Sequence, residues 1–136
     1  MSLEIAKREA EGIVILELKG RLILGDTATL QSESTALLTR GSKQVILDFS
    51  SVPFIDSSGL GVMVAIHSQF QNAGGAAKLL HLSKRNLQLL VLTKLSIVFE
   101  TFDDERAAID SFFPDRVRNT FDILDFVKSQ ESEPGK

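Results

Sequence analysis

The 136-residue sequence contains no cysteine. This absence excludes a disulfide framework and a thiolate metal site, and it suits a reducing cytoplasm. The longest apolar runs, such as residues 60–66, are far too short to cross a bilayer, and the amino terminus lacks a basic region followed by an apolar stretch. We therefore expect a cytoplasmic protein with no signal peptide and no membrane segment.

A strong excess of charge of one sign is also missing. The chain has 18 acidic and 15 basic residues and a formal net charge of -3, which gives no global electrostatic footprint for DNA, RNA or anionic lipid. Its only histidines, His67 and His81, occur without cysteine or a clustered carboxylate motif, so they make a poor metal site. No phosphate-cradling loop is present. We expect no nucleic-acid partner, no metal and no cofactor.

Short apolar strand patterns alternate with helical patterns along most of the chain. This alternation predicts an α/β fold, with a central mixed and largely parallel sheet flanked by about four helices. We expect a single domain over residues 4–113. Its predicted strands cover residues 4–9, 13–18, 45–47, 77–82 and 97–102. Its first predicted helix begins after Asp26 or Thr27 and ends at residue 40, and the others cover residues 58–72, 84–93 and a segment after Asp103 or Asp104.

The pattern changes after Pro114. Val117, Phe121, Leu124 and Lys128 would share one face of a helix, so we predict an extra amphipathic helix over residues 114–128. Residues 129–136 are polar, and we expect them to be disordered.

The most informative segment is the predicted start of the helix at residues 58–72. Asp56, Ser57 and Ser58 crowd a place where one capping side chain suffices. Gly59 and Gly61 cost about 1 kcal/mol each against alanine inside a helix, which indicates a close approach by another backbone or a partner. The following residues are apolar almost all round, so some of them could serve an interface. The candidates for that contact surface are Leu60, Val62 and Met63.

This helix start resembles that of the STAS-domain anti-sigma-factor antagonists. The resemblance centres on Asp56-Ser57-Ser58-Gly59-Leu60-Gly61 and covers about residues 4–113. It also includes residues 72–75, 82–85 and 92–95.

The resemblance implies a phosphorylation switch and no catalytic residues. In this family the anti-sigma factor, an ATP-dependent serine kinase, phosphorylates the serine directly after the motif aspartate, which is Ser57 here. Ser58 is the alternative position. The unmodified antagonist captures the kinase and releases the sigma factor, and a metal-dependent serine phosphatase restores that form. The implied partner-binding residues are Asp56, Ser57, Ser58, Gly59, Leu60, Gly61, Val62 and Met63.

One loop departs from the family pattern. The classical antagonists carry an acidic residue soon after the glycine that ends the second strand, whereas here Gly20 is followed by Arg21, Leu22, Ile23 and Leu24. This argues against a nucleotide-proximal contact from the loop and leaves the identity of the partner open. The sequence does not predict an oligomeric state.

Two other functions are compatible with the same residues. One is a scaffolding STAS module in which Ser57 only caps the helix and no kinase acts. The other is a serine hydrolase, although Asp56 occupies the position of the first glycine in a nucleophile elbow around Ser58.

Lys84 and Arg85 either form a solvated first turn of the next helix or contact an acidic partner surface.

Overall fold

The structure is a computed structural model that describes residues 2–116. Besides a further helical stretch at residues 114–116, it contains within these residues five strands, four α-helices and one 3-10 turn. In chain order they are β1 (Glu4–Ala10), β2 (Ile13–Lys19), α1 (Thr27–Thr39), β3 (Gln44–Ser51), α2 (Ser57–Asn72), β4 (Ala76–Leu80), α3 (Lys84–Leu92), the 3-10 turn (Leu95–Ile97), β5 (Thr101–Phe102) and α4 (Glu105–Asp110).

The strands form one sheet whose spatial order, β1-β2-β3-β4-β5, is also their order in the chain. β1 and β2 pair as an antiparallel hairpin, and the remaining neighbours are parallel. The hairpin turn places Glu11 and Gly12 at φ 54° and 83°. Positive φ at both central residues matches the twist of the flanking strands. The predicted mixed, largely parallel α/β fold is confirmed.

The sheet buries apolar side chains on both faces. On one face, alternate strand residues such as Leu16, Leu47 and Leu79 pack in a large core against α1, α2 and α3. The opposite face packs Ile15 and Ile46 in a smaller core against α4. Since successive side chains of a strand point to opposite faces, the near-continuous apolar runs of β2 and β3 are what a sheet covered on both sides requires.

The predicted strand over residues 97–102 is wrong over most of its length. Only Thr101–Phe102 pairs with β4, whereas Leu95–Ile97 forms a 3-10 turn that follows Lys94 in the left-handed conformation. Ile97 is 85% exposed, and Phe99 is buried. Phe99 can be buried from an irregular segment while its neighbours stay in solvent, so its burial does not require a strand. The apolar composition of the segment had suggested one.

Most other predicted boundaries differ from the structure by one or two residues. β4 ends at Leu80 rather than at residue 82, because His81 leaves the extended conformation at φ 61°. α4 ends at Asp110, and Phe112 packs on the smaller core from beyond the helix. The predicted tail helix at 114–128 extends beyond residue 116, and the predicted disordered segment at 129–136 lies wholly outside the described residues. No helix between residues 2 and 116 has the length and apolarity to span a bilayer.

Candidate partner-binding site at the start of α2

The chain reaches the start of α2 through a short connector, residues 52–56, that is anchored to the core. Val52 and Ile55 are buried, and Ile55 forms an isolated parallel bridge with Leu22. The buried amide of Asn86, on α3, donates from Nδ2 to the Val52 carbonyl oxygen at 3.0 Å. These anchors fix the point at which α2 begins.

Asp56 caps α2. Its backbone is extended, and its Oδ1 accepts a hydrogen bond from the backbone N–H of Gly59 at 2.8 Å. A carboxylate at this position satisfies an amide of the first turn that has no partner within the helix. Ser57 is therefore the first residue of α2, where it is exposed, and Ser58 is half-buried. Because Asp56 is the cap, neither serine hydroxyl is needed for that role.

The same carboxylate also holds the loop between β2 and α1. Its Oδ2 accepts a hydrogen bond from the backbone N–H of Leu24 at 3.1 Å. Two backbone hydrogen bonds reinforce this contact: Asp56 N donates to Leu22 O at 3.2 Å, and Leu22 N donates to Phe54 O at 3.0 Å. The amides of Gly59 and Leu24 lower the pKa of the Asp56 carboxyl, because they stabilise its charged form. The site thus carries a negative charge beside Ser57.

The two glycines of α2 have different surroundings. A Cβ built on Gly59 would lie 2.3 Å from Leu22 O and 2.8 Å from Cγ2 of Ile55, so Gly59 permits the close approach of the β2–α1 loop. A Cβ on Gly61 would meet no atom within 4 Å, and Gly61 is exposed. The predicted close approach by another backbone is therefore met inside the chain at Gly59, and only Gly61 faces open space.

Three of the predicted contact residues differ from the expectation. Leu60, Val62 and Met63 are buried, with exposed fractions of 8%, 8% and 0%, and all three belong to the large core. A helix packed against a sheet and a neighbouring helix buries a wide apolar stripe, so these side chains support the site from below rather than forming its surface. Of the other predicted residues, Gly59 is also buried, Ser57 and Gly61 are exposed, and Asp56 and Ser58 are half-buried.

The structure adds one surface residue that the sequence interpretation missed. Leu24 is 75% exposed although it is apolar, and its backbone is bonded to Asp56. The signal was present in the sequence as a leucine in a glycine-flanked loop, but nothing there linked it to Asp56. On another side of the connector, the guanidinium of Arg85 lies 5.1 Å from the centre of the Phe54 ring. Lys84 and Arg85 are both exposed in the first turn of α3.

The two histidines lie on different elements. His81 Nδ1 is 3.1 Å from Oδ1 of Asp48, a β3 residue only 6% exposed that also accepts a hydrogen bond from the backbone N–H of Ser50. His67 packs edge-on against the Phe99 ring, with 5.4 Å between the ring centres. Between residues 2 and 116, no cluster of three or more histidine or carboxylate side chains is arranged to hold a metal ion.

Comparison with known proteins gives a family match and several relatives. The STAS domain family model matches residues 4–108. The anti-sigma F factor antagonist of Paenibacillus polymyxa is 26% identical over 111 residues, which cover 80% of this chain and 94% of the relative. The anti-sigma-B factor antagonist of Bacillus subtilis is 25% identical over 100 residues, which cover 74% and 91% respectively.

Solved structures share the fold. A Thermotoga maritima protein superposes with a TM-score of 0.76 at 24% identity, covering 79% of this chain and 93% of that protein. The phosphorylated form of SpoIIAA from Bacillus superposes with a TM-score of 0.63 at 20% identity, covering 79% and 98%. With the family model matched across all five strands and into α4, this chain belongs to the STAS domain family.

Proposed function

We propose that this chain is an anti-sigma-factor antagonist switched by phosphorylation of Ser57. The unmodified protein binds an anti-sigma factor that is an ATP-dependent serine kinase, and the sigma factor is released. Phosphorylation ends that binding, and a metal-dependent serine phosphatase restores it. The chain acts through protein–protein contact in the cytoplasm and catalyses no reaction itself.

The observation that carries the proposal is the position of Ser57. It is exposed at the first residue of α2, next to the ionised carboxylate of Asp56. An exposed hydroxyl at this point is accessible to a kinase. The named relatives from Paenibacillus polymyxa and Bacillus subtilis are antagonists of anti-sigma factors, and SpoIIAA is known in a phosphorylated form.

The charge added by phosphorylation explains how one group could act as a switch. A phosphoryl group adds roughly -1.5 to -2 charges near neutral pH, and the positive end of the helix dipole tolerates it in the free protein. In a packed interface the same group would meet the negative charge of Asp56 and lose its water. The free protein would keep its fold while the complex dissociates.

Substitutions at Ser57 test the proposal. Ser57→Asp places a second carboxylate beside Asp56 and should weaken kinase binding by at least about 2 kcal/mol, roughly thirtyfold in affinity. Ser57→Ala should bind about as well as the unmodified protein and should resist being switched off. Affinities can be measured by calorimetry with the anti-sigma serine kinases of the source organism.

Ser58→Ala is the matched control for the modification site. It removes the neighbouring hydroxyl, and because Asp56 caps the helix it should leave both stability and phosphorylation intact. Mass spectrometry after incubation with kinase and ATP identifies the modified residue. Phosphate found only on Ser58, or binding unaffected by Ser57→Asp, would contradict the proposed switch.

A further inference from the structure

Leu24 is the exposed apolar side chain tied most directly to the start of α2. Its side chain is 75% exposed, and its backbone N–H is bonded to the same carboxylate that caps the helix. Other strongly exposed apolar side chains, including Val91 and Ile97, lie on α3 and the 3-10 turn instead. The exposure of an apolar residue so close to Ser57 therefore needs a functional explanation.

The loop that carries Leu24 is held in place on both sides. Asp56 binds Leu24 N, and the Leu22 backbone is hydrogen-bonded to residues 54 and 56 of the connector. On the α1 side, Asp26 N donates to Ile23 O at 2.9 Å, while Asp26 Oδ1 accepts a hydrogen bond from Leu3 N. These bonds fix the backbone so that the leucine side chain projects into solvent. A loop backbone that is held in advance loses little conformational entropy when a partner covers it.

We infer that Leu24 is a specificity-determining contact for the protein that recognises Ser57. The inference rests on the proposed function and adds the chemistry of the partner surface. The partner surface has an apolar pocket for Leu24 next to the groups that bind the Ser57 hydroxyl. Asp56 acts here as a positioning residue, because it holds the loop and the helix start in one arrangement.

An apolar contact at this position would select among similar partners. A partner whose corresponding surface is cationic or strongly hydrated would have to desolvate its polar groups against Leu24 without gaining a hydrogen bond. A partner with an apolar pocket would gain from removing the leucine side chain from water.

The test measures the affinity of Leu24 variants for the anti-sigma serine kinase that phosphorylates the wild-type chain. Leu24→Ser should lower the affinity by about tenfold or more, and Leu24→Met should stay within about threefold of wild type, because it keeps an apolar side chain of similar size. Both variants should retain the thermal midpoint of the wild type, since the leucine side chain is mostly in solvent. Ile97→Ser is the matched control: it removes an apolar side chain that is 85% exposed, against 75% for Leu24, from the 3-10 turn and should leave the affinity unchanged.

The outcomes separate this inference from the proposed function. Leu24→Ser binding as tightly as wild type, while Ser57→Asp fails to bind, would overturn the role of Leu24 and leave the switch intact. An equal loss of affinity in Ile97→Ser would show that exposed apolar side chains affect binding in general. That result would also overturn the role of Leu24. If none of the organism's anti-sigma serine kinases binds or phosphorylates the wild-type chain, the proposed function fails and the inference fails with it.

Discussion

Asp56 joins two segments that are distant in the sequence. One carboxylate oxygen accepts a hydrogen bond from Gly59 at the start of α2, and the other accepts one from Leu24 in the β2–α1 loop. Both donors are backbone amides, so each contact depends on the acceptor at position 56 rather than on a second side chain. The Asp56 carboxylate therefore helps to set the position of Leu24 relative to Ser57, together with the backbone hydrogen bonds of Leu22.

Asp56→Asn separates the two contacts. The asparagine carbonyl can still accept from Gly59 N, but its NH₂ group would then face Leu24 N and cannot accept a hydrogen bond. We expect faster amide hydrogen exchange at Leu24 and little change at Gly59, measured by NMR on the free protein. Equal protection of Leu24 in both proteins would show that Asp56 does not hold the loop.

The pH dependence of the same pair has a defined sign. The amides of Gly59 and Leu24 hold the pKa of Asp56 below its usual value in the folded chain. Its contribution to stability is therefore fully present above the unfolded pKa of about 4 and is lost as the pH falls through the folded value. The stability difference between wild type and Asp56→Asn should accordingly shrink below about pH 4.

At the scale of elements, α2 is packed against the β2–α1 loop through a glycine. Gly59→Ala would place a methyl group 2.3 Å from a backbone oxygen, where a small shift of a flexible side chain cannot relieve the contact. We expect a loss of about 1 to 3 kcal/mol in the free energy of unfolding. Gly61→Ala meets no atom within 4 Å and should instead stabilise the helix by roughly 0.5 to 1 kcal/mol.

Chemical denaturation of both variants measures the contrast between these positions. The two substitutions are identical in chemistry and sit two residues apart in one helix, so helix propensity is common to both. A stabilised Gly59→Ala protein would show that the loop does not pack on α2 as described.

The sequence predicted elements better than it predicted which side chains reach solvent. Residues that cap or terminate helices, such as Asp56 before α2 and Gly41 after α1, mark the helix ends through local chemistry. The exposure of Leu24 and the burial of Val62 depend instead on contacts between segments far apart in the chain. Residues 97–102 were misjudged for the same reason, because a short edge strand depends on its neighbour more than on its own composition.

On the scale of the whole molecule, residues 2–116 bury two apolar clusters, one on each face of the sheet. At the end of this region Arg116 pairs with Glu11 and Asp110 on the surface. Exposed ion pairs contribute little to stability, because water and salt screen them.

Cutting the chain after Phe113 tests whether the domain is independent of the tail. We expect a soluble protein that unfolds cooperatively, with a thermal midpoint within about 4 °C of the full chain. Calorimetry measures the midpoint, and near-ultraviolet circular dichroism reports the packing of the phenylalanines. An insoluble or molten product would show that Val117, Phe121 and Leu124 complete the core.

The identical order of the strands in space and in sequence has a consequence for synthesis on the ribosome. Each strand that emerges finds its neighbour already made, so the sheet can grow from β1 towards β5 without waiting for a distant segment. The loop, the connector and the first turn of α2 all precede β4 in the chain. The hydrogen bonds of Asp56 around Ser57 can thus form before β4 and α3 are translated, and the anchor from Asn86 to Val52 is added when α3 follows.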